Sequence, residues 1–533
     1  MLPRQLRTFF SLLSLFALLL TSPVCAAPPE PPATRLFNVK DYGAVLDGKT
    51  DDARAIMTAF AAMKVNGHPS GTLLIPGVAR IGSMLDLDGG YRNVTQEGQW
   101  STGAGEELRI LVVGALRPDP GIGVAVKLHG SRNTWTDIRF DKGGRADDIG
   151  LQVEDLDLAD IGVTGTDFAG TLLFADATAD RTKRIRSTKI RQVYASNCGQ
   201  AIEWRGIEAF GSFEFVWDRN CVRGSHFKDC ADTTIKYYEN FSPATQSIGL
   251  HFEECNMFSV GVISLGDRAK EALLQITGGN FGSIQRLRAS GRPDRPTDAT
   301  STVGLKLLNV KSVCIDNLQT FRCRIGLHAL GSSFSVKCHY SMTSDINPLV
   351  VEGTPQSPAP RIDIGAFYRY TLRESVKVLD NVTGGVLHLH GTIYDMNIDN
   401  QPGLYAIDCR SKGLILDVAG LTQEHRNNLL GSIYHPTPSN IRGVAQAHLG
   451  NPLQHGQITN TPFAKRRTPT QPLDHREIRC HQRHPRHLSR LSRPRCRQTR
   501  PGHHQRPPRR QCRTAGDHLP AYSTLVVVPG GSR

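Results

Sequence analysis

Between Ala201 and Asp267 the chain concentrates carboxylates, aromatic rings and a histidine set between apolar neighbours. Asp218 and Glu239 are 21 residues apart, and Asp229 and Glu253 are 24 apart. Two carboxyl groups on one wall can cleave a glycosidic bond: one protonates the leaving oxygen while the other attacks or activates water. Asp218 is the candidate nucleophile or base, with Glu239 or Glu253 as the acid, and Asp229 opens a second pairing with Glu253. In Phe213-Glu214-Phe215-Val216-Trp217-Asp218, strict alternation turns Phe213, Phe215 and Trp217 inward and leaves Glu214 and Asp218 outward. The parity of Ile235-Lys236-Tyr237-Tyr238-Glu239 puts Glu239 on the face of Ile235 unless a turn intervenes.

Proton abstraction beside a sugar carboxylate needs a base and positive charge instead. His251, between Leu250 and Phe252, points outward if they point in, which makes it the candidate base. Arg205, Arg219, Lys236 and the run Lys183-Arg184-Ile185-Arg186 can supply the charge. Trp204 and Tyr238 are expected to stack on sugar faces, as aromatic rings with a polar edge do, with Arg219 and Lys236 beside them. Each residue also has a plainer reading: a solvated acid, a turn cap, a core aromatic, or a surface ion pair between Asp218 and Arg219.

These residues need a scaffold that makes neighbours of positions about two dozen apart. From about Leu128 the chain is a series of short alternating strands broken by Gly, Asn, Asp and Ser. One phrase recurs as Ile149-Gly150-Leu151-Gln152-Val153, Ile248-Gly249-Leu250-His251-Phe252, Val303-Gly304-Leu305-Lys306-Leu307 and Ile325-Gly326-Leu327-His328-Ala329, with Ile202-Glu203-Trp204 as a degenerate copy. Imperfect repeats of two or three strands in roughly 20–28 residues predict a parallel β-helix. Its inward residues stack along the axis, and its outward residues stack along the flank at about 4.8 Å. Asp51 to Met63 reads as a helix capped by Asp51 or Thr50, with Ile56, Phe60 and Met63 on one face. There it would cover the open first coil. Gly71-Thr72-Leu73-Leu74-Ile75-Pro76-Gly77 reads as a first strand and turn. Gly89-Gly90 and Gly278-Gly279 read as turns, since neither has the spacing of a nucleotide site.

The run Phe37-Asn38-Val39-Lys40-Asp41-Tyr42-Gly43-Ala44, followed by Asp47-Gly48-Lys49-Thr50-Asp51-Asp52-Ala53, resembles the N-terminal signature of the pectate-lyase-like right-handed β-helix superfamily. Its members include polygalacturonases, polysaccharide lyases, uronan epimerases, glucanases, inulin fructotransferases and phage tailspikes. The signature spans residues 37–60, and the looser coil pattern extends the likeness to about residue 420. The resemblance implies an all-β, right-handed solenoid with a capping helix and a polysaccharide partner. Tailspike-like members leave room for a homotrimer. It carries no catalytic residues across. The Asn-Thr-Asp and paired Asp-Asp motifs of polygalacturonases are not found, nor is the calcium pattern of a pectate lyase. The individual family stays open among hydrolase or transglycosidase, lyase or epimerase, and a non-catalytic glycan-binding protein.

Residues 1–26 read as a secretory signal, with Arg4 and Arg7 ahead of the apolar stretch Phe9 to Leu20 and a small-residue site at Val24-Cys25-Ala26. That stretch is shorter than the roughly 20 residues a membrane anchor needs. The expectation is therefore a secreted or periplasmic protein with no integral membrane segment. A Pro-rich spacer, 27–35, precedes a β-helix domain over 36–450. The formal charge of +14 belongs to the end of the chain: from Thr461 to Arg533 there are 17 Lys+Arg against 3 Asp+Glu. The rest is electrically neutral, which gives no case for nucleic acid. Residues 451–533 read as a basic low-complexity tail, disordered or translated out of frame. An anion-binding or metal-binding role for its His-rich stretch is the weaker alternative. Of the 12 Cys, the eight between Cys198 and Cys409 show no zinc-ribbon spacing. They read as buried free thiols, with room for a bridge or two on export. No cofactor and no metal are called for.

Overall fold

The repeated Ile-Gly-Leu phrase accounts for the coil. In its four copies the first residue is half-buried, while the glycine and the third residue point inward. A Cβ on Gly150, Gly249 or Gly304 would lie 2.9, 2.6 or 2.7 Å from the carbonyl oxygen of Leu172, Leu273 or Gly326 on the next coil. At these three coils the strand begins at a point with little space for a side chain, which glycine suits, while Leu172, Ala201 and Leu273 fill the equivalent place on neighbouring coils.

The computed structural model describes residues 35–90, 107–179, 185–207, 211–242, 246–267, 269–291, 303–342, 346–368, 373–393, 404–419, 421–425, 431–443 and 446–449. They wind into a right-handed parallel β-solenoid of about 13 turns. One long sheet has 21 strands and a second has 15. Their strands pair in parallel, each with the equivalent strand of the next coil. This is the fold that the N-terminal signature implied. The signal, the tail and all of the spacer but Arg35 lie outside the described residues. No helix among the described residues is long and apolar enough to cross a membrane.

Helix α1, Ala53–Ala62, buries Ile56 and Phe60, and Met63 follows them into the core. It packs over the first coil, against strands Leu36–Asn38, Gly71–Ile75 and Leu85–Asp88, so it is the expected end cover. The cap differs in detail. Asp52 takes the N-cap position, but its carboxylate accepts from the N–H groups of Val45 and Leu46 at 2.7 and 3.1 Å. Asp51 instead accepts from the Ala53 N–H at 3.1 Å. Gly90, Gly278 and Gly279 have positive φ, as their turns require.

The core is one continuous stack of apolar side chains from Phe37 to Ile433. Aromatic rings cross it at coil spacing: Trp204 on Phe213 at 5.2 Å, Phe213 on Phe227 at 5.3 Å, and Phe227 on Phe252 at 5.3 Å. All eight cysteines are free thiols and six are buried; Cys314 is exposed and Cys338 half-buried.

One departure from simple alternation decides where the chemistry faces. In seven successive strands of the long sheet, from Lys189–Ser196 to Ser333–Met342, two neighbouring residues point outward together. They are Arg191–Gln192, Glu214–Phe215, Lys236–Tyr237, Gly261–Val262, Gln285–Arg286, Asp316–Asn317 and Lys337–Cys338. The pairing ladder skips Glu214, Lys236, Gly261 and Gln285 at the same rung. The strand bends there as the wall turns a corner, and alternation resumes with opposite parity.

Candidate functional site

That corner corrects the expected orientations. Phe213 points inward as expected, but Phe215 and Trp217 face outward, half-buried. Asp218 is not an outward carboxylate: it is completely buried. Its Oδ2 accepts from Ser225 Oγ at 3.2 Å and from the Tyr238 hydroxyl at 3.1 Å. Burial pushes its pKa up to about 6, against the bonds from Cys221, Asn240, Tyr238 and Ser225. Glu239 faces outward after all and accepts from the Tyr237 hydroxyl at 2.6 Å, which holds that phenol up at about 12. Asp218 is paired in register with Asn240, and Glu239 with Trp217. Asp218 and Glu239 thus lie on opposite faces of one wall and do not meet.

Trp204 and Tyr238, expected on the sugar side, are both core residues, 1% and 0% exposed. The same corner turned Tyr238 inward, while Trp204 follows the alternation of Gln200–Arg205. Arg219 is exposed at a strand end, and no Asp218–Arg219 ion pair forms because the acid points inward. Lys236 is exposed and bonds Glu214 at 2.7 Å. Asp229 is exposed in a turn with φ 51°. Its N–H donates to the Glu253 carbonyl oxygen, but it stands at the edge of the sheet, off the strand face that carries Glu253. Of the run Lys183-Arg184-Ile185-Arg186, the first two residues lie outside the described ones and Ile185 is buried.

The structure gathers titratable groups on the outer face of the second sheet. The outward position of four successive strands, Gln200–Arg205, Ser225–Lys228, Ile248–Glu253 and Ala272–Thr277, carries Glu203, His226, His251 and Gln275 in register. Two residues further along the strands, the same rungs carry Arg205, Lys228, Glu253 and Thr277. His251 therefore points outward as expected, and Arg205 and Glu253 share its face.

His226 is the hub. Its Nδ1 lies 2.9 Å from Glu203 Oε1 and its Nε2 lies 3.0 Å from Glu253 Oε2. A ring that meets a carboxylate at each nitrogen donates to both only when doubly protonated. Burial favours neutral Glu203, but His226 and Arg205 (Nε to Oε1, 2.6 Å) outweigh it and hold the acid down at about 2. Gln200 donates to its other oxygen at 2.8 Å. Burial raises Glu253 too, yet Lys228 at 2.7 Å and His226 bring it below the usual carboxylate range. His251 stacks on His226 with ring centroids 4.8 Å apart and planes 7° from parallel. Burial, then the neighbouring His226, push it down to about 4, and its Nε2 lies 3.1 Å from Thr277 Oγ1. His226, His251 and Glu253 offer donor atoms within 4.8 Å of one another, enough to hold a divalent cation. Each already has protein partners: Glu203 and Glu253 for His226, Thr277 for His251, and Lys228 for Glu253.

Glu203, His226 and Lys228 were missed in the sequence. A signal was present: Ile202-Glu203-Trp204, the degenerate copy of the repeat, sets Glu203 at the place that Leu250-His251-Phe252 gives to His251. Ser225-His226-Phe227 lies between them with the same alternation.

No protein-family model and no curated protein sequence matches the chain. Solved structures with similar coils include the Dettilon tailspike protein gp208, at 12% identity over 76% of this chain and 69% of that one, with a TM-score of 0.39. The DFA-IIIase of Arthrobacter chlorophenolicus A6 is 12% identical over 68% of this chain and 94% of its own, TM-score 0.32. The A-module of the mannuronan C-5 epimerase AlgE6 of Azotobacter vinelandii is 14% identical over 78% and 100%, TM-score 0.30. At these scores the likeness carries no argument about activity.

Proposed function

We propose that the chain is a carbohydrate-active enzyme that abstracts a proton from an acidic polysaccharide, as a uronate lyase or epimerase does. The supporting observation is the pair of stacked imidazoles, one gripped by two carboxylates and the other uncharged near neutral pH. Neutral His251 is the base that takes the proton at C5 of a uronate. Lys228 and Arg205 add positive charge where the sugar carboxylate gathers electrons. His226, held between Glu203 and Glu253, returns a proton. In elimination that proton goes to the departing C4 oxygen as the C4–C5 double bond forms. In epimerisation C5 is reprotonated from its opposite face by solvent, because both imidazoles stand on one wall.

Hydrolysis through a carboxylate pair is the less favoured reading. It needs one carboxyl kept protonated near neutral pH. Glu203 and Glu253 are both pulled the other way, and Asp218, raised to about 6, is sealed in the core.

The test is a screen of the purified chain against uronic-acid and neutral polysaccharides, with mass analysis of the products. New unsaturated ends absorbing in the ultraviolet, or solvent deuterium at C5 without cleavage, support the proposal. New reducing ends without either establish hydrolysis and refute it. Binding with unchanged chain length and no exchange indicates a non-catalytic glycan protein and refutes it as well.

A further inference from the structure

On the long sheet, a wall separate from the histidine cluster, one outward row reads Tyr194, Trp217, Glu239, Ser264 and Arg288 over five successive strands in register. Beside it, at the corner, runs Phe215, Tyr237, Val262 and Arg286. The aromatic members form one half-exposed surface. Tyr194 and Trp217 have centroids 5.4 Å apart, Phe215 and Trp217 6.1 Å, and Phe215 and Tyr237 are stacked at 5.2 Å with planes 1° apart. At the other end of the row an open pocket of about 280 Å³ is lined by Phe241, Ser264, Arg288, Ser290 and Arg322. Arg288 lies over the Phe321 ring at 5.2 Å. Among the described residues, neither Arg288 nor Arg322 has a carboxylate partner.

We propose that this row is a second glycan-binding track, one that takes an anionic sugar, carboxylated or sulfated, in the Arg288–Arg322 pocket. The next sugars of the same chain lie over Trp217, Phe215 and Tyr237. Three features point to this ligand. The half-exposed rings of Tyr194, Phe215, Trp217 and Tyr237 make an apolar surface that the C–H faces of sugars can meet. Glu239, braced by Tyr237, offers acceptors to hydroxyl groups. Two guanidinium groups without acidic partners fit the planar oxygens of an acid group by charge-assisted, bidentate bonds. Trp217 and Arg288 are three rungs apart, about 14 Å at the usual strand spacing. The ligand must therefore be an oligosaccharide rather than a single sugar. The track does not depend on the acid–base reading of the other wall.

The test is titration of the full chain, followed by calorimetry, with hexamers of galacturonate and mannuronate, a sulfated galactan oligomer, a neutral glucose hexamer and a thymidine hexamer. At least one acidic sugar should bind 10-fold or more tighter than the glucose hexamer, with affinity falling as salt rises. The double variant Arg288→Ser, Arg322→Ser changes exposed side chains only. It should erase that preference, while Trp217→Ala should weaken acidic and neutral sugars alike. The same pattern of arginine and tryptophan effects should hold in a His226→Asn, His251→Gln background, which disables the cluster on the other wall, so the two sites fail or stand separately. The idea is overturned if acidic and neutral hexamers bind equally, if none binds, if the double arginine variant keeps the preference, or if the thymidine hexamer binds best.

Discussion

Replacing Asp218 by Asn should stabilise the protein at alkaline pH and leave its activity intact. The carboxyl is completely buried, and burial moves its pKa from 3.8 to about 6. At 1.36 kcal/mol per pKa unit, that displacement is worth about 3 kcal/mol. The folded value lies above the unfolded one. The stability tied to this group is therefore whole below about pH 4, declines as pH rises towards 6, and stays lost above it. Asn keeps the shape and can still accept from Ser225 and Tyr238, but it carries no charge to desolvate. The variant should match the parent to within about 1 kcal/mol at pH 4, the worth of exchanging one set of hydrogen bonds for another. At pH 8 it should be more stable by about 2 kcal/mol. His251 pulls in the opposite sense over the same pH range, so the parent's own profile decides nothing and the difference between the two proteins isolates Asp218. The coils of a solenoid need not unfold all at once, so the quantity to read is the difference in thermal or urea midpoint at fixed pH. A difference that stays constant from pH 4 to 8 would refute the reasoning, as would a variant weaker at pH 8. Loss of turnover in a well-folded Asp218→Asn protein would show that the carboxyl reaches substrate.

Three further outcomes are expected. Changing His226→Asn or His251→Gln should lower turnover on an acidic polysaccharide by about 100-fold or more, the usual worth of a positioned acid or base. Glu239→Gln, remote from the cluster, should keep it within a few-fold, and the reverse pattern of rates would move the site to the long sheet. Because His251 is pushed down to about 4, the unfolded chain takes up that proton first as pH falls below about 6.5, and stability drops until about pH 4. The full shift corresponds to about 3 kcal/mol, and solvent screening of this partly exposed ring leaves roughly half; a His251→Gln protein whose midpoint falls as steeply as the parent's between pH 6.5 and 4 would contradict this. Phe281 is 68% exposed with φ 58°, a backbone state that asparagine adopts at less cost than phenylalanine. Phe281→Asn should raise stability by about 0.5–1 kcal/mol, whereas a drop in unfolding midpoint would mean that the ring contributes packing.

The solenoid was legible because it is written repeatedly. A phrase that returns with the same inward glycine and leucine needs a wall against which each copy can stack, and local alternation within a strand is a local property. His251 could be turned outward from its two neighbours alone, and the helix at Asp51–Met63 from the spacing of Ile56, Phe60 and Met63. The register between coils is different, because coil lengths vary and only the stacked strands show which residues meet. Glu203, His226 and Glu253 lie on three successive strands, and the carboxylates on either side of the imidazole became partners only in the folded wall.

The sequence by itself determined that this chain stacks into parallel rungs with a covered first end, since apolar periodicity and recurrence need no partner to be read. Only the tertiary structure decided which side of the wall each acid occupies. A bend shared by seven neighbouring strands reverses the parity of everything beyond it, moving Asp218 into the core and Trp217 out of it. That bend is held by the packing of coil on coil, a cooperative property that no single strand's residues encode.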